Sequence, residues 1–287
     1  MQSSHVERLF KCQIYTDSRG TGLDDYIKGP QWNTAAVPSS TRSKITTAVC
    51  VKKGAKLEQA QKFLLDTNAG QNKDLIIIAA GICNLTERIR DSHANTLVYR
   101  NRERKQHVID IIQQLLQLYG DKIHIATITP ASLLGYFKAN NNTEPGTTLR
   151  EALEIQQANL LEDCEEINTF IINNNIARDQ PTLPWGKQSY TESKKRKKSG
   201  KPRRKVKHKF NPKNLPDGVH PNNTLRRTWF KLIKDFVDRV ARKLLPPENL
   251  DTDNTESSDP LDLLDTTQST EDEEETNFKR RKKQSVH

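Results

Sequence analysis

The sequence predicts an α/β protein, a three-layer α/β/α sandwich around a parallel sheet of about five strands. Three observations carry this. Short apolar runs alternate along the chain with longer segments of helical period, the order expected of a parallel sheet covered on both faces. One run, Leu75-Ile76-Ile77-Ile78-Ala79-Ala80, is apolar at every position, as suits a strand buried on both sides. Small residues (Ser18, Gly54 and Gly81) follow the runs, where a strand has to turn sharply.

The elements follow in order. Residues 11–16 form a first strand ending in Thr16-Asp17-Ser18-Arg19-Gly20, and residues 46–51 a second, closed by Lys52-Lys53-Gly54. Residues 55–66 read as a helix with Leu57, Ala60, Phe63 and Leu64 on one face. The apolar run at 75–80 is the third strand. Residues 101–119 place Val108, Ile111, Ile112, Leu115 and Tyr119 at helical spacing before Gly120 stops them. Residues 122–129 form a fourth strand and residues 181–185 a short fifth. Between these two, residues 148–173 form a long helix with Leu153, Leu160, Leu161, Cys164, Ile167 and Ile171 on its stripe. Pro221 has the fixed φ of a first helical turn, and Leu225, Trp229, Leu232, Ile233, Phe236, Val237, Val240 and Leu244 continue an amphipathic helix to Pro246-Pro247.

Composition sets the outer parts apart. Only 33% of the 287 residues are hydrophobic and mean hydropathy is −0.81, which is low for a chain folded from end to end. The expected folded domain covers residues 8–245, interrupted by a disordered basic insertion at 186–213. A disordered tail at 246–287 is acidic, then basic. Twelve Lys and Arg and no acids lie between Lys194 and Lys213, whereas twelve Asp and Glu and no bases lie between Glu248 and Glu275. A net charge of +10 and a pI near 9.4 point to an anionic partner.

Lys194, Lys195, Arg196, Lys197 and Lys198, with Arg203, Arg204 and Lys205, read as a nuclear-localisation or nucleic-acid patch for DNA or RNA. A nuclear import receptor would be a further partner. Trp185, Tyr190 and Phe210 nearby offer stacking for single strands. In the tail, Asp259-Pro260-Leu261-Asp262-Leu263-Leu264-Asp265 has the mixture of a protein-docking motif.

Cys12, Cys50, Cys83 and Cys164 show no CxxC spacing and are expected as free, buried thiols of a reducing compartment. No apolar stretch approaches the ~20 residues of a membrane span, and the first residues lack the apolar run of a signal peptide. The expectation is an intracellular, nuclear protein with no membrane contact. His93, His107, His124 and His208 lack paired ligand spacing, so no metal is expected.

The chemistry lies in two distant blocks, Asp17-Ser18 and Asp217-Gly218-Val219-His220. A serine hydroxyl needs an imidazole to take its proton, and the imidazole needs a carboxylate to hold its tautomer. Asp217 and His220, three residues apart, can meet in one turn. Ser18, Gly54 and Gly81 all follow strands, so they share the rim where open α/β sheets bind ligands.

In this order the blocks resemble those of the SGNH (GDSL-type) hydrolases over residues 8–245, the basic insertion excepted. Thr16-Asp17-Ser18 resembles the family's Gly-Asp-Ser block with Thr for Gly, and Asp217-Gly218-Val219-His220-Pro221 its Asp-x-x-His block. The resemblance implies a flavodoxin-like sandwich and a cofactor-free serine esterase acting on carboxylic esters. Ser18 would be nucleophile, His220 general base and Asp217 its orienting carboxylate. The backbone N–H groups of Ser18 and Gly54 would face the oxyanion.

The family's Gly-x-Asn-Asp block reads Gly81-Ile82-Cys83-Asn84 here. Cys83 therefore stands at the oxyanion Asn and Asn84 at the following Asp, and the third donor is Cys83 or, after a local shift, Asn84. The alternative is a degenerate hydrolase core that carries basic segments to nucleic acid, since similar domains occur in proteins of mobile genetic elements.

Overall fold

The computed structural model describes residues 9–33, 44–91, 94–186, 190–192 and 208–245. Within them, four parallel strands form one sheet in the order β2-β1-β3-β6. These are β1 (Phe10–Thr16), β2 (Ile45–Val51), β3 (Leu75–Ala79) and β6 (Ile123–Ile125). Every residue of β3 is buried, as its uniform apolar run requires. Its side chains alternate between two cores: Ile76 and Ile78 face one layer, Leu75, Ile77 and Ala79 the other.

The first layer packs α3 (Leu57–Asp66), α6 (Glu103–Tyr119) and α8 (Thr147–Ala177) on the sheet through Leu57, Leu64, Val108, Ile112, Leu160 and Ile167. On the opposite side, the second layer is built by α1 (Leu23–Lys28) and α9 (Asn223–Leu244) through Leu23, Trp229, Ile233 and Val237. Each such aliphatic side chain, taken from water into the core, contributes about 1.5–3 kcal/mol. The expected three-layer sandwich is therefore present with four sheet strands.

The fifth strand at 181–185 is absent. Pro181 and Pro184 remove two donors from so short a segment, and its contact with the sheet edge is the Thr127 N–H donating to Leu183 O at 3.1 Å. Trp185 is buried edge-on against Trp229, 4.9 Å between ring centres, so it does not serve as a stacking platform.

Several elements carry no clear periodicity in the sequence. An antiparallel hairpin, β4 (Thr86–Arg90) with β5 (Asn95–Tyr99), leaves four of the five β4 residues exposed. The short α2 (Pro30–Asn33), α4 (Ala69–Asn72) and α5 (Ile82–Leu85), and α7 (Leu133–Asn141), were likewise not anticipated. The final helix starts two residues later than Pro221. Asn222 is its N-cap, with Oδ1 accepting from the Leu225 N–H at 2.9 Å.

The basic insertion is closed at its base. Tyr190–Glu192 (β7) pairs antiparallel with His208–Phe210 (β8). Lys194 to Lys198, Arg203 to Lys205 and the whole tail at 246–287 lie outside the described residues. All four cysteines are free, and burial raises the pKa of each thiol. No described helix is long and apolar enough to cross a membrane.

Candidate active site

The strand order reverses at β1: β2 lies on one side of it and β3 on the other. In open α/β sheets the crevice beyond the strand ends at such a switch point receives the ligand. Ser18 follows β1 there and Gly81 follows β3.

The nucleophile turn is held from both sides. Thr16 Oγ1 donates to Ala79 O at 3.1 Å, locking the end of β1 to β3. Asp17 is buried and caps a 3-10 turn at Ser18–Gly20, its Oδ1 accepting from the Arg19 N–H at 2.9 Å. Burial pushes the Asp17 carboxyl up, opposed mainly by the Arg19 charge. Arg19, also buried, donates from Nη1 to Thr129 O at 2.5 Å. Because β3 lies between β1 and β6, this side chain crosses the end of β3 to reach the segment after β6.

The second block comes to the same rim. Its bend is tied to α7 by the Ser132 N–H donating to Gly218 O at 2.7 Å. Gly218 has φ +79°, and a Cβ there would lie 2.2 Å from Tyr136 N and 2.4 Å from Ser132 O, so only glycine fits. The bend folds Asp217 back on His220. Asp217 Oδ1 accepts from the Val219 and His220 N–H groups at 3.0 and 2.6 Å, and Oδ2 lies 2.5 Å from His220 Nδ1. Burial would raise the Asp217 carboxyl, but the His220 ring and these two N–H donors outweigh it and hold the pKa at about 2. The other ring nitrogen, His220 Nε2, lies 2.9 Å from Ser18 Oγ across 202 residues of sequence.

Gly54 sits on an exposed turn with φ +67°, drawn to the end of β1 by the Lys52 N–H donating to Thr16 O at 2.9 Å. Gly81 also has positive φ, +131°, and a Cβ there would lie 2.6 Å from Ile128 Cδ1.

A parallel sheet of order 2-1-3-6 thus carries Asp17-Ser18, Gly54, Gly81 and Asp217–His220 along one rim. These are the blocks, in the same order, by which the sequence resembles the SGNH hydrolases. No family model matches the chain, and no curated protein matches it in sequence. Solved structures do resemble it. A lipase/acylhydrolase from Enterococcus faecalis is 13% identical with a TM-score of 0.48, over 84% of this chain and 99% of that one. A GDSL-like lipase from Bacteroides thetaiotaomicron is 15% identical with a TM-score of 0.46, over 82% and 89%. A member of the lipolytic G-D-S-L family from Veillonella parvula is 11% identical with a TM-score of 0.44, over 80% and 99%.

The Asn84 amide is held away from the turn by α3: its Nδ2 donates one hydrogen to Glu58 Oε2 at 2.7 Å, and its Oδ1 accepts from the Leu57 N–H, the first of α3, at 3.0 Å. Glu58 is held in turn by His107 Nε2 at 2.7 Å. Cys83 is left at the turn after β3. Its thiol is pushed up to about 11, first by burial and then by the Asp17 charge, with Arg19 and Lys56 opposing.

Sequence reasoning missed Arg19, Glu58 and Ser132. Arg19 had a signal, a cation directly after Ser18; Glu58 and Ser132 had none, because their partners lie far along the chain. Among the described residues no cluster of His, Cys, Asp and Glu is arranged to hold a metal ion.

Proposed function

We propose that this chain is a serine ester hydrolase. The observation that carries the reading is His220 Nε2 at 2.9 Å from Ser18 Oγ, with Asp217 on the other ring nitrogen. In this reading Ser18 Oγ attacks the ester carbonyl and His220 Nε2 takes its proton. Asp217 accepts from Nδ1–H, keeping Nε2 free to accept and stabilising the imidazolium. The backbone N–H groups of Ser18 and Gly54 face the developing oxyanion, and Cys83 adds at most a weak thiol donor. His220 returns the proton to the departing alcohol, and water attacking by the same route releases the acyl group. No cofactor enters. Hydrolysis of a short-chain aryl ester that disappears in Ser18→Ala, with an unchanged melting curve, is the expected result. Equal background rates for both proteins would refute the reading.

A second, compatible reading is nucleic-acid binding in the nucleus through the cationic stretch that includes Lys194–Lys198 and Arg203–Lys205. It is favoured by twelve cations between Lys194 and Lys213 with no acid among them. Each phosphate contact on duplex DNA would contribute about −0.9 to the slope of log K against log salt. A gel shift that weakens steeply with salt, and is lost on deleting 194–213, is expected; salt-independent or absent binding would dismiss it.

A further inference from the structure

The two helical layers of the sandwich carry opposite charge. α8, on one face of the sheet, has six acids and one cation, a net of −5; α9, on the other face, has seven cations and two acids, a net of +5. This separation lies within the folded domain and does not involve the stretch at 194–207.

The α9 charges are also sorted around its axis. Lys234 is buried and paired with Asp238 at 2.8 Å, so neither contributes to the surface. Arg227, Lys231, Arg239, Arg242 and Lys243 are exposed and make no ion pair among the described residues. At 3.6 residues per turn they share an arc of about 160°, on which Asp235 is the one acid that is not buried, since Asp238 falls on the same arc but is buried against Lys234. From Arg227 to Lys243 the arc runs about 24 Å at 1.5 Å per residue, alongside roughly seven phosphates of one duplex strand at 3.4 Å each. The apolar stripe of α9 is spent in the core on Trp229, Ile233, Phe236 and Val237. On the cationic arc the one apolar side chain is Leu232, which packs partly into the same core, and the exposed Leu244 lies off the arc, so the cationic face lacks the apolar wedge that an interfacial helix needs.

A second observation places the insertion beside it. Phe210, in β8 at the base of the insertion, packs against the same core cluster that α9 builds. The closed end of the cationic insertion and the cationic helix thus belong to one layer of the molecule.

We propose that the outer face of α9 binds the phosphate backbone of a nucleic acid without reading sequence, with Arg227, Lys231, Arg239, Arg242 and Lys243 as its contacts. The proposal rests on the nucleic-acid reading above for its ligand class and is independent of catalysis. The acidic α8 layer faces away from the polyanion and so orients the domain on it, since like charge is repelled.

The test uses the full chain and a labelled duplex of about 20 base pairs, titrated across roughly 50–200 mM salt. Arg227→Gln, Lys231→Gln, Arg239→Gln and Lys243→Gln are combined in one variant. All four side chains are exposed, so melting should be unchanged. A charge-matched control combines Lys62→Gln, Arg90→Gln, Arg104→Gln and Lys122→Gln, exposed positions elsewhere. The α9 variant is expected to lower the salt slope by about three to four and to raise Kd at least about tenfold, with little change in the control. Equal losses in both variants, or none in the α9 variant, would overturn the proposal. If wild type binds and deletion of 194–213 abolishes binding while the α9 variant matches wild type, only the α9 face falls. If wild type fails to bind, both readings fall. Retention on phosphatidylserine vesicles that depends on the α9 cations, without duplex binding, would reassign the face to membranes and overturn the proposal.

Discussion

Asn84 donates to Glu58 across 2.7 Å, and that bond ties the turn after β3 to the first turn of α3. The same side chain accepts the otherwise orphaned Leu57 N–H, so one amide closes two elements that flank the Ser18 rim. The residue beside it, Cys83, is left facing the charges of Asp17, Arg19 and Lys56.

Replacing Cys83 by Asn should therefore raise kcat for Ser18-dependent ester hydrolysis. Loss of one oxyanion donor elsewhere costs about 10²–10³ in rate, so a gain of at least about tenfold with little change in KM is expected. Steady-state kinetics of Cys83→Asn checks it, and a rate no higher than wild type would mean that the site does not lack a donor.

Asn84→Ala should destabilise the fold rather than act on chemistry. It leaves the buried Leu57 N–H without its acceptor, at a cost of about 1–3 kcal/mol. Urea unfolding reads the loss directly. The Glu58 carboxyl is buried enough to be pushed up, yet its own backbone, His107 and Asn84 hold it lower than usual. Its contribution is present above the ordinary Glu range and fades as pH falls below it, so Glu58→Gln should flatten the acid side of the stability curve.

Asp217→Asn should lower kcat by about 10²–10⁴, because an amide facing Nδ1 can favour the wrong ring tautomer. The Asp217 pKa of about 2 lies below that of an unfolded Asp, near 3.8. Its stabilisation is therefore complete above about pH 4 and is lost as pH falls from there to about 2. Thermal melts across that window should show a slope in wild type that is reduced in Asp217→Asn.

Gly218→Ala should fail on both counts. The new Cβ meets Tyr136 N and Ser132 O at positive φ, so the bend must open. A loss of about 2 kcal/mol or more is expected, with ester turnover falling as His220 moves from Ser18. A variant that melts with wild type and keeps its rate would contradict this account of the bend.

Much of the fold was legible because its signals are local. The uniform run at Leu75–Ala79, the helical stripe of Val108, Ile111, Ile112 and Leu115, and the amphipathic final helix each declare their type within a single segment. The hairpin Thr86–Arg90 was not, because its exposed Glu87, Arg88, Ile89 and Arg90 do not alternate, and its partner strand together with α7 supplies the packing. At 181–185 the two missing N–H donors of Pro181 and Pro184 outweigh the apolar Leu183 and Trp185, so no strand forms.

What the sequence by itself determined is the order of the elements, the chemical types at the strand ends, and the arrival of Ser18 and Gly81 at one rim. Each of these follows from period and turn residues within a few positions of one another. Tertiary structure alone decided that His220 Nε2 meets Ser18 Oγ, that Arg19 crosses the end of β3, that the Asn84 amide serves α3, and that α8 and α9 carry opposite charge on opposite faces. The physical reason is direction. Where a side chain points depends on partners up to 202 residues away, and only the packed sheet brings those partners within hydrogen-bond reach.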